Sequence, residues 1–462
     1  MKSENKKIRK SKNPDNDYMN NKDLGNNLEN INVGILGFGY IASGVFSLMQ
    51  KQKDYIAKKI KKNINVTRIA EKNIKKAENS FLKEFKEVKV TGDASDVIND
   101  ENIDIVVELI GGIDPAYDYI YRALNSGKYV VTANKDLMAN RGGDLLEAAG
   151  KNNVDVLFEA SVGGGIPIIG PLKSSLASNN ISKIVGIING TTNYILTRME
   201  KENLSFGDAL RKAQELGYAE KANPSSDIEG YDAACKLAIL ASIAFNSRVK
   251  LSDVYKEGIT GILPDDIKNA LDMGYRIKLL AIGIEENGQI SVRVHPALIP
   301  TDHILASIED TFNAVYVYGN YAGEIMSYGR GAGDKPTASS VVGDIIKIAR
   351  NLDRKKKGII YGCSCFESKK FKPIDDTVSK FYILMDVVDK PGVLAKIAEV
   401  FGNNLVSINS MVQKQADKER SARLIFITHE VINKNLYKSI KEISKLDIVN
   451  RVLSIIRVED LN

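Results

Sequence analysis

The 462-residue sequence lacks any stretch that would indicate export or insertion into a membrane. No apolar run approaches the roughly 18 residues that a bilayer-spanning helix needs. The first residues are basic, but the apolar segment of a secretory signal does not follow them. We therefore expect a cytoplasmic protein that makes no membrane contacts.

Cysteine is also scarce, with three residues in the chain. They provide no disulfide framework, and Cys363 and Cys365 are too close together and too few for a zinc site. The net charge of +6 does not indicate nucleic-acid binding, because the lysines gather in residues 1–12 and 51–62 with few aromatic residues between them. We interpret these two runs as a solvated tail and a solvated helix face.

The remaining composition, with 44% hydrophobic and 26% charged residues, is typical of a globular protein, and the length predicts about three domains. Residues 1–30 are rich in Asn, Lys and Asp, and we expect them to be disordered. Apolar runs of strand length then alternate with helical stretches. These runs are residues 31–36, 66–70, 103–110, 129–134 and 154–161. The alternation predicts right-handed βαβ units and a parallel sheet.

The pattern changes after about residue 156, where longer helices accompany later strands. The predicted helices are residues 164–179, 191–202, 205–217, 231–247 and 338–350, and the predicted strands include 313–319 and 323–329. A polar linker, NLDRKKKG, follows. From about residue 380 the order becomes strand, helix, strand, strand, helix, strand, which predicts a compact βαββαβ module.

A glycine motif joins the first predicted strand to a helix. In Gly37-Phe38-Gly39-Tyr40-Ile41-Ala42, Gly37 permits a tight turn, Gly39 lets the backbone approach a pyrophosphate, and the small Ala42 allows close strand–helix packing. The helix then presents the N–H groups of its first turn to the phosphates. We predict a dinucleotide site that includes Gly37, Gly39, Tyr40 and Ile41.

The end of the second strand contains opposing signals for the choice of cofactor. Glu71 could accept a hydrogen bond from a ribose 2′-hydroxyl, which favours NAD, whereas Lys72, Lys75 and Lys76 could hold the 2′-phosphate of NADP. The residues leave both cofactors open.

Two further turns follow predicted strands. Thr132-Ala133-Asn134-Lys135 lies at the carboxyl end of a strand, where open α/β sheets bind ligands, and its lysine could polarise a carbonyl or pair with a carboxylate. EASVGGGI (159–166) could expose carbonyl groups that cage a hard monovalent cation, or it could be a tight crossover between domains.

A charged decapeptide, DIEGYDAACK (227–236), precedes an apolar helix. The spacing of Asp232 and Lys236 allows an exposed i,i+4 ion pair, worth about 0.3–0.5 kcal/mol. It also allows a cluster of charged side chains that faces a cleft. The apolar run around Lys236 favours the cleft.

The stretch from Ala213 to Lys236 resembles the signature of homoserine dehydrogenases, and every element of that pattern is present. Together with the glycine motif, VVTANK (130–135), EASVGGGIPII (159–169) and GRGAGDKPTASSVVGDI (329–345), the resemblance covers about residues 31–360. DKPGVLAKIAEVFG (389–402) resembles ACT domains, the amino-acid sensors. The departures from the family are Ala42, Asn223 and a spacer before Asn223 that is one residue longer than in many relatives.

The resemblance implies an α/β protein with a mixed architecture. Its parts are a disordered extension (1–30), a Rossmann-type dinucleotide-binding domain (31–155), an α+β catalytic and dimerisation domain (156–330), a helix returning to the nucleotide domain (331–360) and a βαββαβ ACT regulatory domain (380–458). The residues before the first strand are too few for an aspartokinase domain. A homodimer or homotetramer is expected from the family.

The resemblance also implies NAD(P)H-dependent, reversible reduction of L-aspartate 4-semialdehyde to L-homoserine, in threonine and methionine biosynthesis. Lys236 is then the proton donor. Lys135 lies across the cleft, and Asp232 orients Lys236. Glu220 binds the substrate ammonium, and Asp227 holds its polar end.

Further implied sites concern the cofactor, a metal and an effector. Asn134, Lys135 and Gly333 lie at the nicotinamide end of NADP or NAD. A structural sodium ion is bound by main-chain carbonyl groups of Glu159, Val162, Gly164 and Ile166. L-Threonine is the expected effector at the ACT domain.

Two alternatives compete with this interpretation. An aldehyde dehydrogenase acting on the same semialdehyde needs an activated cysteine with a base nearby, but Cys235 lies in an apolar helix and the chain has only three histidines. A catalytically inactive amino-acid sensor is the second alternative. The presence of Lys135, Glu220, Asp232 and Lys236 together argues against it.

Overall fold

A computed structural model describes residues 28–75, 81–353, 358–415 and 421–461. The predictions for residues 1–27, for Lys76 and for the middle of the polar linker lie outside these ranges. The helices are α1 (Tyr40–Lys51), α2 (Lys53–Ile60), α3 (Ser95–Ile98), α4 (Ala116–Asn125), α5 (Lys135–Lys151), α6 (Ile169–Lys173), α7 (Gly190–Glu202), α8 (Phe206–Glu215), α9 (Ser225–Ile228), α10 (Tyr231–Ala244), α11 (Pro264–Asp272), α12 (Asp334–Asn351), α13 (Val393–Asn403) and α14 (Asn433–Ile443).

The strands form two sheets. They are β1 (Glu29–Leu36), β2 (Lys62–Ala70), β3 (Lys89–Thr91), β4 (Ile105–Glu108), β5 (Tyr129–Thr132), β6 (Val156–Leu157), β7 (Ile181–Ile187), β8 (Tyr255–Lys256), β9 (Tyr275–Glu286), β10 (Gln289–Pro300), β11 (Phe312–Gly319), β12 (Gly323–Arg330), β13 (Lys370–Phe371), β14 (Val378–Val388), β15 (Ile408–Gln415), β16 (Ser421–Thr428), β17 (Val431–Ile432) and β18 (Val449–Val458).

The first sheet is parallel throughout and has the order β3-β2-β1-β4-β5-β6. This confirms the predicted parallel sheet. Its central strands β4 and β5 are buried along their whole length, as near-continuous apolar runs require. The strand order reverses between β1 and β4, so a crevice opens at the carboxyl ends of these two strands.

The second sheet is mixed and runs in the order β12-β11-β7-β9-β10-β18-β14-β16-β15. Its centre is the long antiparallel hairpin of β9 and β10, which the sequence analysis did not identify. Helix α10 packs on this hairpin and is buried on nearly all sides, because its apolar residues do not keep to one face.

The C-terminal module has the predicted βαββαβ order and its own apolar core around Ile397, Phe401 and Phe426. It does not stand apart from the middle region, however. Strand β18 pairs with β10 in parallel through Ala297 with Arg457 and Leu298 with Val458. The module therefore continues the second sheet, and the predicted domain boundaries stay predictions.

Two predicted elements are shorter than expected. The strand predicted at 154–161 is limited to Val156–Leu157, and a 3₁₀ turn, Glu159–Ser161, follows it. The helix predicted at 164–179 is limited to α6, because glycines with positive φ and Pro167 precede the helical residues. Among the described helices, none is both long enough and apolar enough to cross a bilayer.

Candidate active site

The start of α10 places Asp232 and Lys236 on one helix face. Gly230 precedes the helix with φ +78°, and a Cβ atom there would lie 3.1 Å from the carbonyl oxygen of Glu257. Only glycine combines this conformation with so close an approach. Asp232 and Lys236 are 4% and 9% exposed. The structure therefore rules out the exposed ion pair as an interpretation of the decapeptide.

The Asp232 carboxylate joins two lysines. Its Oδ2 accepts a hydrogen bond from Lys236 Nζ at 2.7 Å, and its Oδ1 lies 2.9 Å from Lys135 Nζ. Lys236 Nζ also donates to the main-chain oxygen of Ile188 at 2.8 Å. The Lys135 side chain keeps 33% of its surface exposed, so the cluster opens to solvent on that side.

The end of β5 and the start of α5 position Lys135. The Asn134 side chain caps the helix by accepting from the N–H of Leu137 at 3.1 Å, and its amide donates to the main-chain oxygen of Gly112 at 2.6 Å. The buried Glu108 carboxylate accepts from the Thr132 hydroxyl at 2.6 Å and from the N–H of Ile110 at 2.7 Å. These contacts bind the loops after β4 and β5 together.

Asn189 belongs to the same cluster, although the sequence analysis did not identify it. Its amide group donates to Asp227 Oδ1 at 2.7 Å and to Asp232 Oδ2 at 2.8 Å, while its Oδ1 caps α7 by accepting from the N–H of Thr192. An asparagine between a strand and a helix is the local signal, but the same signal marks any helix cap.

Burial and charge act in opposite directions at this cluster. Burial disfavours the charged form of Asp232, but Lys236 and Lys135 outweigh it and hold the pKa of the carboxyl far below its usual range. Burial likewise opposes the charge of Lys135, but Asp232 outweighs it and raises the pKa of that ammonium. Burial, together with the nearby Asp232 carboxylate, raises the pKa of Asp227.

Glu220 lies on an exposed turn after α8. This turn packs on α7, since the main-chain oxygen of Tyr218 accepts from Thr191 at 2.7 Å and the rings of Tyr218 and Tyr194 meet at 5.0 Å. Within the described ranges, the Glu220 carboxylate has no ion-pair partner, and it is not in contact with the two lysines. The structure thus brings Asp227, Asp232, Lys135 and Lys236 together and leaves Glu220 apart.

The glycine motif lines a cavity of about 280 Å³ at the crevice between β1 and β4. Gly37 has φ +85°, and a Cβ atom there would lie 3.1 Å from the main-chain oxygen of Leu109. A Cβ atom at Gly39 would meet only open space, and no described side chain caps α1 at this point. Tyr40 and Ile41 follow in the first turn. These features fit a pyrophosphate on the helix N-terminus.

Glu71 also lines this cavity, together with Lys72. The main-chain N–H of Phe38 donates to Glu71 Oε2 at 2.7 Å, and that of Asn73 donates to Oε1 at 2.9 Å. The carboxylate is therefore fixed beside the glycine turn, and the exposed Lys72 and Lys75 follow it.

The turn Gly163–Gly165 meets the turn that precedes α12. A Cβ atom at Gly164 would lie 2.5 Å from the main-chain oxygen of Gly331, and the Ser340 hydroxyl donates to the Gly164 carbonyl at 2.6 Å. Gly333, with φ +115°, directly precedes α12, which packs on α1 at Gly44. This arrangement brings Gly333 back to the nucleotide-binding part.

The carboxylate and the carbonyl groups around Glu159 have different partners. The carboxylate accepts from the N–H groups of Ile168, Ile169 and Gly170, each at 2.7 Å. The carbonyl oxygen of Glu159 accepts from the N–H of Val162 at 3.4 Å. Val162, Gly164 and Ile166 are buried, so their carbonyls are removed from bulk water.

The thiol of Cys235 does not suit nucleophilic catalysis. Its sulfur donates to Asp136 Oδ1 at 3.5 Å, and burial together with this carboxylate raises the pKa of the thiol to about 12. A thiol of this kind stays protonated at neutral pH, so Cys235 does not suit the nucleophile that the cysteine-dependent alternative requires.

Models of known protein families match three parts of the chain. A model described as the NAD binding domain of homoserine dehydrogenase matches residues 37–159, one described as homoserine dehydrogenase matches residues 167–346, and one described as the ACT domain matches residues 381–447.

Proteins of similar sequence and structure are also homoserine dehydrogenases. Homoserine dehydrogenase of Corynebacterium glutamicum is 42% identical over 434 residues, which are 93% of this chain and 96% of that protein. A crystal structure of a homoserine dehydrogenase from Thiobacillus denitrificans has a TM-score of 0.87 at 38% identity, covering 94% of this chain and 99% of the other. A hyperthermophilic archaeal homoserine dehydrogenase in complex with NADPH has a TM-score of 0.60 at 27% identity, covering 70% of this chain and 99% of the other.

Proposed function

The chain belongs to the homoserine dehydrogenase family, and on this premise we propose how its own residues perform the reaction. The family interconverts L-aspartate 4-semialdehyde and L-homoserine with a nicotinamide cofactor, in threonine and methionine biosynthesis. When bound, the cofactor supplies the hydride that reduces the aldehyde carbon. The observation that supports our assignment is the buried cluster in which one carboxylate holds two lysines.

Lys236 Nζ donates the proton to the carbonyl oxygen of the substrate, and in the oxidation direction it accepts that proton. Its charge stabilises the negative charge that the oxygen gathers before protonation. Lys135 is a fixed cation, because Asp232 raises its pKa. It binds the oxygen and does not release a proton. Asp232 is a positioning residue that holds both ammonium groups.

The substrate is held at its other end by acidic residues. Asn189, which caps α7, holds Asp227, and the turn that carries Glu220 packs on the first turn of the same helix. Glu220 is exposed and pairs with the substrate ammonium. Asp227 binds the same polar end.

The direct test is oxidation of NADPH or NADH by the purified full chain in the presence of L-aspartate 4-semialdehyde. L-Homoserine should form in equal amount, as measured by mass spectrometry. Amino-acid binding without turnover would instead support the inactive sensor, and phosphate-dependent reduction of NADP would support an aldehyde dehydrogenase.

Cofactor choice depends on the end of β2. We propose that the enzyme accepts both NADP(H) and NAD(H), with NADP(H) as the main cofactor. Lys72 and Lys75 supply positive charge for the 2′-phosphate, and the fixed Glu71 carboxylate can accept from a ribose hydroxyl. Lys72→Glu should lower the ratio of kcat/KM for NADPH to that for NADH. Lys58→Glu, on the exposed side of α2, is the matched control and should leave this ratio unchanged.

Sodium is the metal expected at the glycine turn. We propose that carbonyl groups of Glu159, Val162, Gly164 and Ile166 bind it, since they are oxygen donors in a buried turn and hard cations prefer oxygen. The ion would fix the contact between this turn and α12 without taking part in the redox step. Sodium chloride should then stabilise the protein against heat more than choline chloride of equal ionic strength. Equal stabilisation by both salts would contradict the site.

The ACT module is proposed to bind L-threonine and to regulate turnover. Its strand β18 carries Arg457, which is 1% exposed and donates to Glu257 Oε1 at 2.7 Å. The carbonyl of Glu257 lies against Gly230, at the start of α10. A change in the module can therefore reach the helix that bears Lys236. Titration of threonine against activity tests the effector, and absence of inhibition would contradict it.

We propose a homodimer or homotetramer in the cytoplasm. Strands β12 and β15 are the two edges of the large sheet, with Tyr328 51% and Val412 41% exposed. The exposed free thiol of Cys363 and the partly exposed free thiol of Cys365 suit a reducing compartment. Light scattering should give a mass of two or four chains, and a monomer would contradict the assembly. Fractionation of the source cells tests the location.

A further inference from the structure

A second cavity, of about 260 Å³, lies away from the nucleotide crevice. It is enclosed by the middle of α5, the last turn of α10, the segment Arg248–Lys250 and the segment Cys363–Cys365. The reaction described above uses none of the residues that line it. Yet α5 carries Lys135 and α10 carries Lys236, so the cavity lies between the two helices that hold the catalytic lysines.

The chain segment that carries the two cysteines is fixed on both sides. Asp155 Oδ2 accepts from the N–H groups of Ile360, Tyr361 and Gly362, at 3.0, 2.7 and 3.2 Å. After the cysteines, the N–H of Glu367 donates to the main-chain oxygen of Asn246 at 2.9 Å. The two thiols are therefore held in one place.

The thiols differ in their surroundings. Cys363 is exposed and lines the cavity. Cys365 is partly buried, with its sulfur 3.6 Å from the main-chain oxygen of Ser242. Both cysteines line the same cavity two residues apart in the chain, and the Cys365 thiol donates to Ser242, so one thiol is open to a reagent and the other is partly covered beside it.

Two cations face the pair. Lys173 Nζ donates to the main-chain oxygen of Gly362 at 2.6 Å, which places the ammonium next to Cys363. The Arg248 guanidinium lies flat on Gly143, where a Cβ atom would be 2.0 Å from its central carbon. Of the other charged residues lining the cavity, Asp144 contacts Arg141 at 3.3 Å. The polar groups of the neighbouring Cys365, helped by these cations, lower the pKa of Cys363 to about 5, and the neighbouring Cys363 raises the pKa of Cys365.

We propose that Cys363 and Cys365 are a redox-active thiol pair that reacts with small hydroperoxides. The Cys363 thiolate attacks the terminal oxygen of the hydroperoxide, so that an S–O bond forms, the O–O bond breaks and an alcohol or water leaves. Cys365 then attacks the sulfenic sulfur, and an S–S bond forms as the hydroxide leaves with the Cys365 proton as water. Two thiols are oxidised by two electrons, and the hydroperoxide is reduced.

Cys235 provides an internal control in every experiment. It is fully buried and its pKa is raised to about 12, so it should stay reduced while the protein is folded. Cys363→Ser and Cys365→Ser change side chains outside the reaction site. Both variants should retain homoserine dehydrogenase turnover, which separates a failure of this proposal from a failure of the proposed function.

The test exposes the reduced full chain to one equivalent of hydrogen peroxide and maps the products by mass spectrometry. The expected product is a disulfide between Cys363 and Cys365, with Cys235 unmodified. In Cys365→Ser, Cys363 should accumulate a sulfenic acid that dimedone traps, and in Cys363→Ser neither product should form. Sulfinic acid at Cys363 in the wild-type chain without any disulfide would overturn the role of Cys365.

The rate of alkylation provides the second measurement. At about pH 6, Cys363 in the folded chain should react with iodoacetamide about tenfold faster than in the unfolded chain, because its larger thiolate fraction outweighs its lower nucleophilicity. Equal rates in the two states would overturn the proposal.

Discussion

The structure shows which contacts would be lost if Asp232 were replaced with asparagine. The change keeps the shape of the side chain but removes a charge that contacts Lys135 at 2.9 Å and Lys236 at 2.7 Å. Two ammonium groups would then share a largely buried site with a neutral amide. Loss of one partner of a buried ion pair costs about 3–5 kcal/mol. Because Lys135 is one-third exposed, we expect Asp232→Asn to lower the stability of this site by the lower end of that range, about 3 kcal/mol.

The pH dependence follows from the direction of the pKa shifts. The pKa of Asp232 is lowered on folding, so its stabilisation is complete above the unfolded value near 4 and is lost as pH falls through the folded value. The pKa of Lys135 is raised on folding, so its stabilisation is complete below about 10.4 and is lost as pH rises through the folded value. The difference in the free energy of opening between wild type and Asp232→Asn should be constant from about pH 7 to 9 and should narrow below about pH 4.

Hydrogen exchange of α10 amides measures the free energy of opening of this helix, and it does not require the whole chain to unfold in one step. Asp144→Asn is the control, since the contact of Asp144 with Arg141 at 3.3 Å is solvent-exposed and should be worth less than about 0.5 kcal/mol. If the free energies of opening of α10 in wild type and Asp232→Asn differ by less than about 0.5 kcal/mol at pH 7, the proposed stabilisation by the Asp232 ion pairs is refuted.

Three further predictions concern single contacts. Gly37→Val places a branched side chain at φ +85° and 3.1 Å from Leu109 O, so calorimetry should show cofactor affinity lowered at least about tenfold; unchanged affinity would contradict the phosphate turn. Asn189→Ala removes the donor between Asp227 and Asp232 and should raise the KM for the semialdehyde, whereas an effect on kcat alone would contradict a role in holding Asp227. Arg457→Met breaks the contact with Glu257 and should weaken the response to threonine in activity assays; an unchanged response would exclude this route.

Local sequence patterns identified those parts of the site that depend on local structure. The i,i+4 spacing placed Asp232 and Lys236 on one helix face, and the apolar run around them predicted their burial. The position of Lys135 after a parallel strand predicted its place at the ligand-binding edge. The strand–glycine–helix order likewise predicted that Gly37 lies at the ligand-binding edge.

The parts that were missed depend on contacts distant in sequence. Asn189 has the local pattern of a helix cap, and only the folded chain shows that its amide joins two carboxylates on other elements. The junction of β10 with β18 consists of two residue pairs far apart in the chain, and nothing in either strand specifies it. The helix predicted at 164–179 begins too early, because glycines with positive φ and Pro167 precede the residues that are helical.

The most direct test of the account is the turnover of Lys236→Ala compared with Lys128→Met. Lys128 is also buried, but it donates to the main-chain oxygens of Asp100 and Ile103, away from the lysine cluster. We expect Lys236→Ala to lose nearly all turnover while its cofactor affinity stays near that of wild type, and Lys128→Met to keep its kcat. A Lys236→Ala variant that retains more than about a tenth of wild-type kcat, a loss below roughly 1.4 kcal/mol, would contradict proton donation by Lys236.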